Sequence, residues 1–137
     1  MSYEHGRNEH TLVSDGALAS LAVIGKFAPG YSPVTVRACS CIFTTGATAA
    51  GIVLFKKRPT AGSATGESTV ATINFTSGTG AQGNCIYVDG LDVTISPGEE
   101  LIAEVTDVSA TGNATCVASV GQSWETPANN TSMAVSA

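Results

Sequence analysis

Four cysteines and two histidines are the residues of this 137-residue chain whose chemistry is easiest to recruit. Cys39 and Cys41 stand two apart, so on a strand both thiols point to one face. A Cys-x-Cys pair is half of a structural zinc site. The other half would be a second close pair of Cys or His, and Cys85 and Cys116 are single and far apart. The cysteines are therefore expected as buried thiols acting as small apolar side chains, with a disulfide formed in an oxidising medium as the alternative. Four cysteines allow three pairings, and the spacing does not choose among them. His5 and His10 each follow a glutamate in a polar N-terminal stretch. General-base chemistry needs a rigidly held imidazole, so both are expected as solvated or interface residues.

The remaining candidates read the same way. No Gly-x-Ser-x-Gly elbow is present, and no histidine follows His10 to serve a serine nucleophile. Glu99, Glu100, Glu104 and Asp107 are numerous enough for a glycosidase pair or a calcium site. Glu100 and Glu104 share strand parity with Thr106, however, which points to the solvated face of a sheet. Gly78, Gly80 and Gly83 lack the GK[ST] and following helix of a phosphate loop, so residues 76–83 are expected as a hairpin or loop. Lys56, Lys57 and Arg58 form the basic cluster of the chain, just before Pro59. They are expected to blunt a solvated strand edge, or to meet an acidic partner surface. Phe27, Phe43, Phe55 and Phe75 fit core positions, and the lone Trp124 makes no sugar-binding platform. These residues call for no cofactor, no metal and no catalytic role.

The elements that must position these side chains are strands. From residue 20 onward, short apolar or alternating runs are broken by Gly, Pro, Asn and Asp, and nothing reads as a long helix. The clearest run is 34–43, in which Val34, Val36, Ala38, Ser40 and Ile42 alternate with Thr35, Arg37, Cys39, Cys41 and Phe43. Further strands are expected at 20–27, 52–55, 68–75, 85–88, 93–95, 100–108 and 114–124. Residues 60–66 (TAGSATG) are expected as a flexible loop, since none of them can anchor a core. Ser96-Pro97-Gly98-Glu99 is a strong turn signal. Turns about every ten residues predict an all-β, antiparallel β-sandwich of jelly-roll type. Residues 1–18 are expected as an extended N-terminal arm, 19–124 as the sandwich domain and 125–137 as a C-terminal tail.

Charge and composition limit the partners. Six Lys and Arg against eleven Asp and Glu give a net charge of −5, which leaves no electrostatic case for nucleic acid. The N-terminus is charged and polar rather than basic and then apolar, unlike a signal peptide. The longest apolar runs, 17–24 and 51–55, fall short of the ~20 residues that span a bilayer. No membrane association is expected, and synthesis in a cytoplasm is.

The segments TAAGIVLFKKRPTAGSATGES and GTGAQGNCIYVDGLDVTISPGEELIAEVTDVSATGNA carry a family likeness across residues 49–114. The carriers are Lys56-Lys57-Arg58 at a strand end, the Gly-rich turn before Cys85, and the turn at Ser96-Pro97-Gly98-Glu99 leading into Glu100-Leu101. In these segments the chain resembles the decoration, or cement, proteins of tailed bacteriophage heads. The resemblance implies a β-sandwich virion protein, commonly a homotrimer, made in the host cytoplasm. It would dock on the outer capsid surface and hold neighbouring major capsid protein subunits together. The family pattern does not demand the four cysteines. On this reading the arm supplies the contacts, through Tyr3, His5, Arg7, His10, Leu12 and Val13, because an arm can order on a neighbour as it binds. Two other readings suit the fold equally: a phage fibre, tail or head-spike component that meets a host surface through residues 60–66 and 76–83, and a carbohydrate-binding adhesion module.

Overall fold

The computed structural model describes residues 9–18, 23–106 and 111–122. They form nine strands: β1 (Glu9–Ala17), β2 (Val23–Phe27), β3 (Val34–Thr45), β4 (Gly51–Arg58), β5 (Ser68–Phe75), β6 (Cys85–Val88), β7 (Val93–Ile95), β8 (Glu100–Thr106) and β9 (Asn113–Gln122). All described pairings are antiparallel. One sheet runs β1-β9-β3-β6, with β7 also on β3, and the other runs β2-β8-β4-β5. These are called sheet A and sheet B below.

β6 and β7 pair with successive parts of β3, β6 with Cys39 to Ile42 and β7 with Val34 to Val36. They amount to one strand interrupted at residues 89–92. Counted so, the two sheets read 1-9-3-6/7 and 2-8-4-5, and every connection but that from β4 to β5 passes between the sheets, as in the two Greek keys of a jelly roll. The expected all-β sandwich is the fold observed. Its interior holds Val36, Phe43, Ile95 and Val120 from sheet A against Val53, Phe55, Ile73, Leu101 and Val105 from sheet B, all essentially inaccessible to water. Phe43 and Phe75 meet across the layers with ring centroids 5.1 Å apart and planes tilted by 59°, a favourable aromatic geometry.

Two features differ from the sequence reading, each for a physical reason. Residues 9–17, expected outside the sandwich, form β1 and pair with β9 from Glu9↔Gly121 to Ala17↔Asn113. An outermost strand needs backbone partners on one side only, so a polar stretch serves without a continuous apolar run. The strand expected at 100–108 is observed over Glu100–Thr106, and residues 107 and 108 lie outside the described residues. The alternation in β3 also changes phase. A bulge leaves Arg37 unpaired between Val36↔Val120 and Ala38↔Ser119, so Val34 and Val36 face the core before the bulge, and Cys39, Cys41 and Phe43 after it. The Arg37 carbonyl accepts a hydrogen bond from the Leu91 N–H at 3.0 Å. The bulge and the break between β6 and β7 are thus two sides of one irregularity.

The remaining sheet edges differ in how they are protected. β2 is five residues long, bulged beside Ile24, and carries the exposed Lys26. β6 and β7 are short and interrupted. β5 is eight residues long and has no charge, proline or glycine, although a bulge at Val70 offsets its pairing with β4.

The turn into β9 depends on Gly112. Its φ of +140° disfavours an L side chain, and an added Cβ would lie 2.8 Å from the Gly46 carbonyl oxygen and 3.0 Å from that of Thr45. The Gly112 carbonyl also accepts the Leu18 N–H at 2.8 Å. Gly112→Ala is expected to cost at least ~2 kcal/mol. A urea or thermal unfolding curve measures it, with the melting temperature falling by roughly 6 °C.

Candidate interaction surfaces

The outer faces of the two sheets are chemically opposite. On sheet B, strand parity carries Lys56 and Arg58 of β4 outward beside Glu104, Ile102 and Glu100 of β8, in the register Leu54↔Glu104, Lys56↔Ile102 and Arg58↔Glu100. The connection from β4 to β5 folds back over this face and brings Glu67 with it. Lys56 Nζ reaches Glu104 Oε1 at 2.7 Å and Glu67 Oε1 at 3.3 Å. Arg58 Nε reaches Glu67 Oε2 at 2.7 Å, and Arg58 Nη1 reaches Glu100 Oε2 at 3.0 Å. Glu100 Oε2 also accepts the Gly62 N–H at 2.9 Å. The result is a continuous run of paired charges, Glu104–Lys56–Glu67–Arg58–Glu100, closed onto a loop backbone. Ile102 is fully buried on this same outward side of β8, in register with Lys26 and Lys56.

This arrangement revises three expectations. The basic triplet lies on β4, an inner strand between β8 and β5, and not on an edge. Its acidic partners are the chain's own: Lys57 reaches Glu99 at 3.4 Å and donates to the Thr94 carbonyl at 2.9 Å, completing the set. Glu100, expected on a solvated face, is buried, and Glu104 is half-buried. Residues 60–66 are tied down by polar rather than apolar anchors, because the Ala61 N–H donates to the Gly98 carbonyl at 2.8 Å and the Gly62 N–H to Glu100. Glu67 escaped the sequence reading. Its signal was isolation, as it is the sole charged residue between Arg58 and Asp89.

The electrostatics follow from the pairing. The Arg58 hydrogen bond, then Lys56, holds the Glu67 carboxyl below its ordinary value despite partial burial. Burial alone would raise Glu100, but the Gly62 N–H and the Arg58 guanidinium outweigh it and hold that carboxyl low as well. Lys56 is raised chiefly by Glu104, and Arg58 chiefly by Glu67.

Sheet A presents a contrary surface on β3, β9 and β6, bordered by β1, which places Asp15 in register with Thr115. Past the Arg37 bulge, Ala38, Ser40 and Ile42 point outward. They lie opposite Ser119, Val117 and Thr115 on β9, with Tyr87 and Cys85 of β6 opposite Ser40 and Ile42. None of these eight residues is an acid, a lysine, an arginine or a histidine. Tyr87 is 64% exposed and Ile42 36% exposed. Arg37 and Asp89, both exposed, stand at the margin.

The thiols divide between the two sides of this sheet. Cys39, Cys41 and Cys116 are buried on its core face, and Cys85 is exposed on its outer face. Cys39 and Cys41 do share one face, as their spacing requires. Cys41 lies directly opposite Cys116 in the β3–β9 register, with the sulfurs 3.8 Å apart. Among the described residues no group of three His, Cys, Asp or Glu is placed to hold a metal. Tyr3, His5 and Arg7 lie outside the described residues. The backbones of His10, Leu12 and Val13 lie in β1, opposite Val120, Ala118 and Val117.

The chain matches no family model and no curated protein sequence. Among solved structures, the crystal structure of PirA is similar in backbone arrangement, with 9% sequence identity, a TM-score of 0.48, and coverage of 80% of this chain and 92% of that one.

The paired charges make stability depend on acid in a defined direction. Glu67 and Glu100 sit below their ordinary value of 4.5 in the folded chain. Their contribution is therefore complete above that value and is lost as the pH falls through their folded-state values. The melting temperature is expected to drop on acidification below about pH 4, and the Glu67→Gln/Glu100→Gln double variant to show a flatter slope in the same scan. At pH 7, Glu100→Gln is expected to cost about 2 kcal/mol, because it weakens a buried, charge-assisted contact to Arg58.

Proposed function

We propose that this chain is a capsid decoration protein of a tailed bacteriophage, docking on the outside of the head and bridging neighbouring major capsid protein subunits. The reading starts from the family resemblance across residues 49–114. The observation that carries it is the uncharged stretch of β3, β9 and β6 on the outer side of sheet A, where Ile42, Tyr87, Cys85 and Val117 lie side by side. An exposed aromatic side chain, Tyr87, with charge kept to the margin matches the aromatic enrichment and charge depletion of a buried interface centre. The opposite face supports the same assignment from the other direction, since its charges are satisfied within the chain and leave little for a partner to pair with.

In this role the protein needs modest affinity at each contact. A shell repeats one coat subunit many times, and a trimer, as the resemblance implies, engages several copies at once, so avidity multiplies a weak single contact. Residues 1–8, which carry Tyr3, His5 and Arg7, precede β1 and supply a second, extended contact in this proposal. Deletion must stop at residue 8, because removing β1 would strip β9 of a pairing partner.

Co-sedimentation of the purified chain with expanded, empty phage heads tests the reading. Saturation at a fixed number of copies per coat subunit is expected. Ile42→Lys, at a partly exposed position, is expected to weaken binding at least ~10-fold with an unchanged circular dichroism spectrum, because it places a charge in the centre of the contact. Deletion of residues 1–8 is expected to weaken binding without unfolding the domain. Absence of saturable binding to heads would overturn the assignment.

A further inference from the structure

The buried thiols are the chemically competent groups that the docking role leaves unused. Cys41 and Cys116 come from strands 75 residues apart in sequence, yet face each other squarely in the β3–β9 ladder, with Sγ to Sγ at 3.8 Å. Directly opposed residues of an antiparallel pair have Cα atoms about 4.5 or 5.5 Å apart, and both values fall within the window that a disulfide accepts. Closing the sulfurs to bonding distance needs side-chain rotation and a small approach of the two strands. The other two thiols are placed differently. Cys39 stands opposite Ala118 on β9 and Val88 on β6, and Cys85 stands opposite Ile42 on the outer face.

We propose that Cys41 and Cys116 form an oxidative cross-linking site, at which a peroxide-class oxidant joins β3 to β9 through a disulfide after the chain has folded. The step balances in two stages. One thiolate attacks the peroxide and becomes a sulfenic acid as hydroxide leaves; the second thiol then displaces water from that sulfur. Two thiols and one hydrogen peroxide give one disulfide and two waters, with two electrons passing from sulfur to oxygen. The Cys116 thiol and burial together push the Cys41 thiol far above its ordinary range, and burial holds Cys39 at about 12. Thiolate chemistry therefore waits on transient opening of the sheet, and the finished bond is shielded from reductants by the same core. This inference stands apart from the capsid reading and does not depend on it.

The test uses the full chain carrying Cys85→Ser, which removes the exposed thiol and with it cross-links between molecules. After treatment with hydrogen peroxide, intact mass is expected to fall by two hydrogens, and peptide mapping is expected to join the Cys41 and Cys116 peptides. The melting temperature is expected to rise by roughly 5–10 °C. Reduction by dithiothreitol is expected to be at least ~10-fold slower in native buffer than in urea. Cys116→Ala, which places at that position the small residue found at Ala114 and Ala118, is expected to fold and to lose the cross-link. A link through Cys39, over-oxidation without a link, or no mass change would each overturn the proposal, and peptide mapping of the unsubstituted chain gives an independent reading of the same pairing.

Discussion

The pairing of β3 with β9 is the constraint on which the rest of the molecule depends. It joins residues 34–45 to residues 113–122, so its closure encloses most of the chain. β1 pairs with the far side of β9, and β6 and β7 pair with the far side of β3, so this ladder is the centre of sheet A and joins its two halves. Such a contact is costly to form, because loop-closure entropy is lost before any local reward arrives. The same ladder carries the Arg37 bulge, which decides what each side of sheet A shows. Before the bulge, Val34 and Val36 face inward; after it, Ala38, Ser40 and Ile42 face outward and three thiols share the core side. One extra residue thus creates both the buried sulfur pair and the uncharged outer surface.

Sheet B solves a different problem. A charged triplet at the end of an inner strand has sheet on both sides, and its charges need partners close at hand. The chain supplies them from three places: Glu104 and Glu100 on the adjacent strand, Glu99 in the turn before it, and Glu67 on the returning loop. An isolated surface pair contributes little, but a linked run with partly buried members and a backbone donor fixes geometry as well as charge. That fixation is why a loop of small residues, with nothing to place in a core, holds a defined path beside Gly98 and Glu100.

Much of the fold was legible because β-structure writes itself locally. The Ser96-Pro97-Gly98-Glu99 turn closes as its residues require, with the Glu99 N–H donating to the Ser96 carbonyl at 2.9 Å and Gly98 at a φ of +94°. Alternation in residues 34–43 and 68–75 marked β3 and β5. What escaped was set by partners distant in sequence. β1 is polar and short of apolar signal, and it becomes a strand because β9 offers it a free edge. Parity in β3 looked unbroken because a bulge leaves no mark when the residues around it alternate between small and branched side chains. The Lys56–Arg58 triplet was visible as a charge cluster, but its destination was hidden in Glu67, Glu100 and Glu104, which the topology gathers from both sides.

The uncharged edge of β5 bears on how the protein behaves in quantity. Among the described residues this strand is paired on one side only, with β4. Its other side offers backbone donors and acceptors, and none of its own side chains carries a charge that would repel an incoming strand. A better-filled core or a further cross-link would leave those side chains unchanged. Association at high concentration then depends on that strand's side chains as well as on folding free energy. A single lysine at Thr72, whose side chain is exposed, would reduce that association without any gain in melting temperature.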